Sequence, residues 1–245
     1  MTNYGFIVSY DGGRYDGWQR QTRTGETIQG KLEETLRKIT GESAQVIGAG
    51  RTDAGVHALG QHANVHLSAL IQPTWLQEAW NRALPDDISI HGLKEVDERF
   101  HSRFFAKEKY YRYRIRTSAE KDVFSRRYVW QLGESLDVDA MRKGAAFLLG
   151  AHDFTAFCGN KHMKKSAVRS IRDISIIEAQ GELHLCFLGD GFLQNMIRII
   201  TGTLVEIGEG KRKAEDIPSI LLSKDRSRAG FTAPPQGLCL MEVSY

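Results

Sequence analysis

Apolar residues recur along this chain at two spacings, and the switches between them outline its elements. Residues 4–10 (YGFIVSY) make a β-rich run closed by the turn signal Asp11-Gly12-Gly13. Ile28, Leu32, Leu36 and Ile39 then recur at helical spacing, with Lys31, Glu33, Glu34, Arg37 and Lys38 on the other faces. This predicts a helix over 27–39, with Thr27 suited to its N-cap and Gly41 to its stop. A Gly-rich stretch, 48–57, leads into an alternating run at 61–67 (QHANVHL) that reads as a strand. Pro73 opens a second helix on Leu76, Ala79, Trp80 and Ala83, closed before Pro85, and a strand follows at 88–91. The second half repeats the rhythm. Strands are predicted at 109–116, 127–132, 171–177, 183–188 and 238–243, with helices at 137–149, 192–207 and 217–222. Strands interleaved with helices twice over predict an α+β fold of two ferredoxin-like halves sharing a mostly antiparallel central sheet, residues 1–105 and 106–245.

Composition narrows the class. The chain has 245 residues, with 41% hydrophobic, 26% charged, 24 Gly and 5 Pro, which excludes collagen-like and low-complexity chains. Cys158, Cys186 and Cys239 are odd in number, far apart and without a CxxC pair, so neither a disulfide framework nor a zinc box is expected. The start lacks a basic region followed by an apolar one, and no 18-residue apolar run occurs. The expectation is a cytoplasmic protein with no membrane partner.

Net charge is only +3, so the distribution of charge carries more weight than its sum. Arg103, Lys107, Lys109, Arg112, Arg114 and Arg116 share one segment with a single acid, Glu108, and Tyr110, Tyr111 and Tyr113 are interleaved with them. Lys161, Lys164, Lys165, Arg169 and Arg172 form a second basic segment, Lys211-Arg212-Lys213 a third, and Lys224, Arg226 and Arg228 a fourth. Basic strands carrying aromatics suit a phosphate backbone with stacked bases, although any one charge run is as well explained as a solvated face.

The chemistry-bearing residues are few. His57 and His62 are not at HExxH spacing, and GxSxG, Walker and GxGxxG patterns are absent, so no metal or cofactor is expected. Asp53 lies in the Gly-rich connection, where Gly50 and Gly55 permit unusual backbone and close approach of a ligand. Arg51, two residues before it, would keep such a carboxylate ionised and directed, fit to act as a nucleophile or base; the alternative is a turn aspartate bonded to its own backbone. Arg198 stands among Met196, Ile197, Ile199 and Ile200 with no acid one turn away, and so either snorkels or pairs with a partner elsewhere in the fold, Asp53 being a candidate. Tyr111 is either core packing or a stacking platform for a base.

These residues fall in segments that resemble the tRNA pseudouridine synthase A family. GRTDAGVHALGQ (50–61) is similar to the family's signature loop, and SYDGGRYDGWQRQ (9–21) to its N-terminal strand and RNA-facing loop. NRALPDDI, FHSRFFAKEKYYRYRI, LLGAHDFTAF, GFLQNMIRIITGTLVEIG and AGFTAPPQGLCLMEVSY resemble further family segments in the right order. The resemblance implies an active-site cleft between the two halves, usually a homodimer. It also implies isomerisation of uridine to pseudouridine at positions 38 to 40 of the tRNA anticodon stem-loop, without a cofactor. By position, Asp53 matches the nucleophile, Arg51 the arginine beside it, Tyr111 the tyrosine stacked on the target base, and Arg198 the arginine paired with the nucleophile. Asp53 would attack the uracil or the anomeric carbon, or serve as base for a glycal route. Arg14, Arg20, Arg23, Lys109, Arg112, Lys164 and Lys165 would hold tRNA phosphates. His57 and Gln61 are candidates for RNA contact, with His57 equally suited to brace the loop. Two rival classes stay open: a nucleic-acid binder without catalysis, and a hydrolytic nucleosidase, which would normally need a second carboxylate.

Overall fold

The computed structural model describes residues 1–163 and 165–245. In chain order the elements are β1 (Thr2–Tyr10), α1 (Ile28–Thr40), β2 (Ile47–Gly48), β3 (His57–Leu67), α2 (Pro73–Ala83), β4 (Ile88–Val96), β5 (Glu108–Arg116), β6 (Trp130–Gln131), α3 (Val138–Ala146), β7 (Gly150–Asp153), β8 (Val168–Ala179), β9 (Glu182–Gly189), α4 (Met196–Gly208), α5 (Ile217–Ser223) and β10 (Leu238–Ser244). The α+β class is as expected. The chain forms two compact units, Met1–Lys107 with Cys239–Tyr245, and Glu108–Leu238. The second half therefore does not run to the C-terminus. β10 returns to the first unit because it pairs in parallel with β3, Cys239 opposite His57 and Leu240 opposite Ala58, while the Lys107 N–H donates to the Ser244 carbonyl.

In the first unit β1 lies antiparallel to both β3 and β4, and β2 adds to β3. Tyr4, Phe6, Val8 and Tyr10 alternate along β1 onto one buried face, as period-2 geometry requires. The helices cover apolar residues at helical spacing: Ile28, Leu32 and Leu36 from α1, Leu76 and Trp80 from α2. The Thr27 hydroxyl caps α1 by accepting from the Gly30 N–H at 3.2 Å, and Gly41 ends it at φ 73°. α2 is capped by the Gln72 side chain, which accepts from the Trp75 N–H. The Trp80 indole N–H reaches the Thr35 hydroxyl of α1 at 3.0 Å and its ring lies 5.0 Å from Phe6, which ties the two helices to the sheet.

In the second unit β5 and β9 are antiparallel, β8 follows β9, β7 follows β8, and β6 adds in parallel to β5. The β8–β9 turn places Gln180 and Gly181 at φ 49° and 78°, the twist that a two-residue hairpin turn needs. α4 is buried almost all round, with Ile199, Ile200 and Leu204 inaccessible to solvent.

Several boundaries differ from the sequence reading, and β4 and β8 run longer than expected. α4 begins at Met196, not Phe192, because Asn195 sits in the left-handed region at φ 59° and cannot continue a helix backwards. α3 ends at Ala146, and the turn after it, with Gly150 at φ 93°, leads into the strand β7, which the sequence reading missed. The strand expected at 127–132 shrinks to two residues after the turn in which the Tyr128 N–H bonds the Ser125 carbonyl. β3 starts four residues early, at His57.

Candidate active site

The signature loop occupies the connection from β2 to β3 in the first unit, and other parts of that unit hold it along its whole length. The Ala49 N–H donates to the His62 carbonyl at 2.8 Å, the Trp18 N–H to the Thr52 carbonyl at 3.1 Å, and the Gly55 N–H to the Tyr15 carbonyl at 3.2 Å. Within the loop the Val56 N–H closes a turn onto the Asp53 carbonyl at 3.2 Å. The chain reaches the left-handed region at Gly55 (φ 77°) but not at Gly50.

Residues 10–18 wrap this loop at two glycines that admit no side chain. A Cβ on Gly12 would lie 1.9 Å from the Val56 carbonyl oxygen. One on Gly17, itself at φ 91°, would lie 2.6 Å from the Thr52 carbonyl oxygen. The turn signals Asp-Gly-Gly and Asp-Gly are therefore also packing surfaces for the loop that carries Asp53.

Each predicted first-unit residue has a defined setting. Asp53 is half-buried and Arg51 exposed. His57 is buried, and its Nδ1 faces both the Gly12 N–H at 3.0 Å and Asp11 Oδ1 at 3.1 Å. Unprotonated, that nitrogen accepts from Gly12; protonated, it donates to Asp11. Gln61 is completely buried beneath the loop, where its amide donates to the Gly50 carbonyl at 2.9 Å and accepts from the Gly50 N–H at 3.3 Å. Arg14 Nε donates to Asp87 Oδ2 at 2.8 Å and Arg23 Nε to Gln21 Oε1 at 2.8 Å, while Arg20 Nη1 forms an ion pair with Glu33 Oε2 at 2.7 Å. All three are exposed cations anchored on one side.

In the second unit Tyr111 is buried on β5, and Phe192 meets its ring edge-on at 5.3 Å between centroids and 83° between planes. Arg198, half-buried on α4, donates from Nε to the Ala233 carbonyl at 2.8 Å and from Nη1 to Asn195 Oδ1 at 2.9 Å. The Ala233 N–H in turn donates to the Arg198 carbonyl at 3.0 Å. The left-handed Asn195 thus spends its side chain on Arg198 and gives the helix no cap. The segment 229–237 that presents Ala233 packs tightly on α4, for a Cβ on Gly202 would lie 2.0 Å from the Phe231 carbonyl oxygen.

The basic strand and clusters divide once partners are known. Tyr113 is core, its hydroxyl donating to the Pro234 carbonyl at 2.6 Å. Arg114 pairs with Glu182 at 2.8 Å, and Arg116 bonds the Glu120 carbonyl. Burial pushes the Glu182 carboxyl up, but Arg114 and then His184 outweigh it and hold the group below the usual carboxylate range. Lys211 pairs with Glu209, Arg212 with Glu206 and Lys224 with Asp153, while Arg226 bonds the carbonyls of Ala229 and Gly230. In the third and fourth basic clusters Lys211, Arg212, Lys224 and Arg226 thus have partners within the unit, as Arg14 and Arg20 have in the first unit. Lys109 and Arg112 are half-buried on β5, and Lys165 is exposed. Lys164 lies outside the described residues. Sequence reasoning missed Tyr10, Thr52, Gly12 and Gly17, and on the other unit Phe192, Asn195 and Ala233. Their local signals were those of a strand end, turns and a helix start. Among the described residues no group of three His, Cys, Asp or Glu side chains could hold a metal ion, and no helix is long and apolar enough to cross a membrane.

Comparison with known proteins gives this α+β chain and its braced glycine-rich loop a family. The tRNA pseudouridine synthase family model matches residues 6–104 and 145–245. Over 245 residues, covering 100% of both chains, the protein is 46% identical to tRNA pseudouridine synthase A of Bacillus sp. (strain KSM-64). With the same coverage it is 44% identical to tRNA pseudouridine synthase A of Acetivibrio thermocellus and 40% identical to tRNA pseudouridine synthase A 2 of Bacillus anthracis. The chain belongs to the tRNA pseudouridine synthase family, and is an isomerase acting on uridine in tRNA.

Proposed function

We propose that this enzyme converts uridine to pseudouridine at positions 38 to 40 of the tRNA anticodon stem-loop, with Asp53 as its nucleophile. The observation that carries the reading is the bracing of the loop around Asp53. Hydrogen bonds with Trp18, Tyr15 and Gln61 and the close approach of Gly12 and Gly17 fix the backbone around the half-buried Asp53, where an ordinary turn aspartate would need none of them.

The reaction breaks the N1–C1′ bond and makes C5–C1′. C5 loses a proton and N1 gains one, so electrons balance and no energy carrier is consumed. Asp53 attacks the uracil ring or the anomeric carbon, and either route starts from an ionised carboxylate. Arg51, two residues before it, directs the carboxylate, and Arg198 is the second arginine assigned to the reaction. Arg198 suits that role because two hydrogen bonds already fix its guanidinium. Tyr111, steadied by Phe192, stacks on the target base. The uridine must leave its stem, which favours the weakened pairs beside a loop. Arg14, Arg20, Arg23, Lys109, Arg112, Lys164 and Lys165 supply phosphate contacts; His57 and Gln61 serve the RNA through the loop that they brace. The enzyme works as a homodimer in the cytoplasm.

Asp53→Ala tests the mechanism with tRNA carrying 5-tritiated uridine. Tritium release vanishes while tRNA binding survives; release at the wild-type rate removes Asp53 from the chemistry. Free uracil among the products would support a nucleosidase instead. Mapping pseudouridine in tRNA from cells lacking the protein tests the site, since loss elsewhere with 38 to 40 intact refutes it. Light scattering at twice the chain mass supports the dimer.

A further inference from the structure

Beneath residues 50–53 lie two buried side chains that the reaction itself does not use. Tyr10, at the end of β1, is 5% exposed, and its hydroxyl lies 2.9 Å from Thr52 Oγ1. Gln61 is 0% exposed and grips Gly50 through both its N–H and its carbonyl. The two are neighbours. Val8 stands opposite Gln61 and Tyr10 opposite Ala58, so the register slips by one residue between them, as at a β-bulge, which re-aims side chains next to a site. Burial pushes the Tyr10 phenol well above the ordinary tyrosine value, and hydrogen bonds with Thr52 and Gln61 offset only part of that. The group therefore stays protonated and able to donate.

The bonds fall on alternate residues. Gly50 and Thr52 are held from below, Arg51 is exposed and Asp53 is half-buried. These anchors fix the backbone on both sides of Arg51 and immediately before Asp53, and so limit the directions in which the two side chains can leave the loop. We infer that Tyr10 and Gln61 are positioning residues for the isomerisation: a two-point cradle that aims Arg51 and Asp53 through the backbone between them. The inference rests on the reading of Asp53 as nucleophile, and it assigns Gln61 to the loop and not to RNA.

Tyr10→Phe removes one oxygen and keeps the ring, whose contact with Trp18 (6.0 Å between centroids) needs no hydroxyl. Thr52→Val removes the partner at equal volume, and Thr52→Ser keeps it. A matched control is Tyr4→Phe, on the same buried face of β1, where the lost hydroxyl bonds only the Ile71 backbone. With 5-tritiated tRNA, Tyr10→Phe and Thr52→Val lower kcat roughly 10- to 100-fold with KM for tRNA nearly unchanged. Their double variant is no worse than either alone, as expected when both remove one bond. Thr52→Ser and Tyr4→Phe keep wild-type kcat per folded molecule, read by circular dichroism at the assay temperature. Wild-type kcat in Tyr10→Phe overturns the inference, and so does an equal fall in Tyr4→Phe. Asp53→Ala in the same assay separates the two claims: an active Asp53→Ala defeats the nucleophile, whereas a dead Asp53→Ala beside a normal Tyr10→Phe defeats only the cradle.

Discussion

Replacing Gly12 by alanine asks whether the wrap around the signature loop is as tight as its geometry states. The added Cβ would lie 1.9 Å from the Val56 carbonyl oxygen and 2.6 Å from its carbon, both backbone atoms. To reach ordinary contact at 3.4 Å the oxygen must retreat by about 1.5 Å, and no flexible side chain can yield instead. Val56 is three residues from Asp53 and is bonded to it through the Val56 N–H. A displacement of this size costs about 2 kcal/mol of overpacking, partly offset by the roughly 0.5 kcal/mol that alanine contributes by restricting the unfolded chain. For a chain of this length that is a fall in Tm of about 3–6 °C. The effect on turnover is larger, because about 1 Å of misplacement at a reacting group can cost 10²-fold. Gly13→Ala is the neighbouring control: its Cβ would meet only Asp11 Oδ1 at 3.0 Å, the far end of a side chain that can turn. Tritium release and thermal melts on both variants decide the matter. If Gly12→Ala turns over within about twofold of Gly13→Ala, the wrap does not aim the loop.

Three further outcomes are expected. Gly202→Ala would stabilise an ordinary helix interior by up to about 1 kcal/mol, yet here the Cβ would lie 2.0 Å from the Phe231 carbonyl oxygen, so the melting temperature falls; a rise refutes the close packing of 229–237 on α4. Arg198→Lys removes the fork that bonds Ala233 and Asn195 together, and turnover drops at least about tenfold with the fold intact by circular dichroism; unchanged kcat removes Arg198 from the machinery. Arg114→Ala lowers Tm at pH 7, and by less at pH 3. Glu182 is held below its ordinary value, so the pair's contribution is present above about pH 4.3 and is lost as pH falls through the folded value; equal differences at both pH values refute the pairing.

What the sequence disclosed and what it hid follow from the range of the forces involved. α1 was legible because its signals are local: apolar residues at i, i+4 and i+8, a threonine whose hydroxyl caps Gly30, and a glycine at φ 73°. α2 was legible through Pro73 and the apolar pair Leu76 and Trp80. The start of α4 was not, because Phe192 and Leu193 continue its apolar pattern while the break comes from Asn195, whose side chain serves Arg198 and not the helix end. Asp53, Arg51, Tyr111 and Arg198 stood out because each is chemically odd where it stands: an acid among glycines, an arginine among isoleucines. Tyr10 and Gln61 stood out in no such way. Tyr10 completes a normal apolar face and Gln61 begins a normal alternating strand, and their importance lies in which loop atoms come within 3 Å of them. The basic clusters show the converse. Lys211, Arg212 and Lys224 look like a nucleic-acid surface when read along the chain, yet Glu209, Glu206 and Asp153 pair with them. Arg14 and Arg20 are paired too, with Asp87 and Glu33, so what a cation already holds is a property of its neighbours in space. On this chain, chemical oddity pointed to the candidate reacting groups and the signature segment to His57 and Gln61, while Tyr10, Gly12 and Gly17, and the cations already engaged, became legible only with the fold.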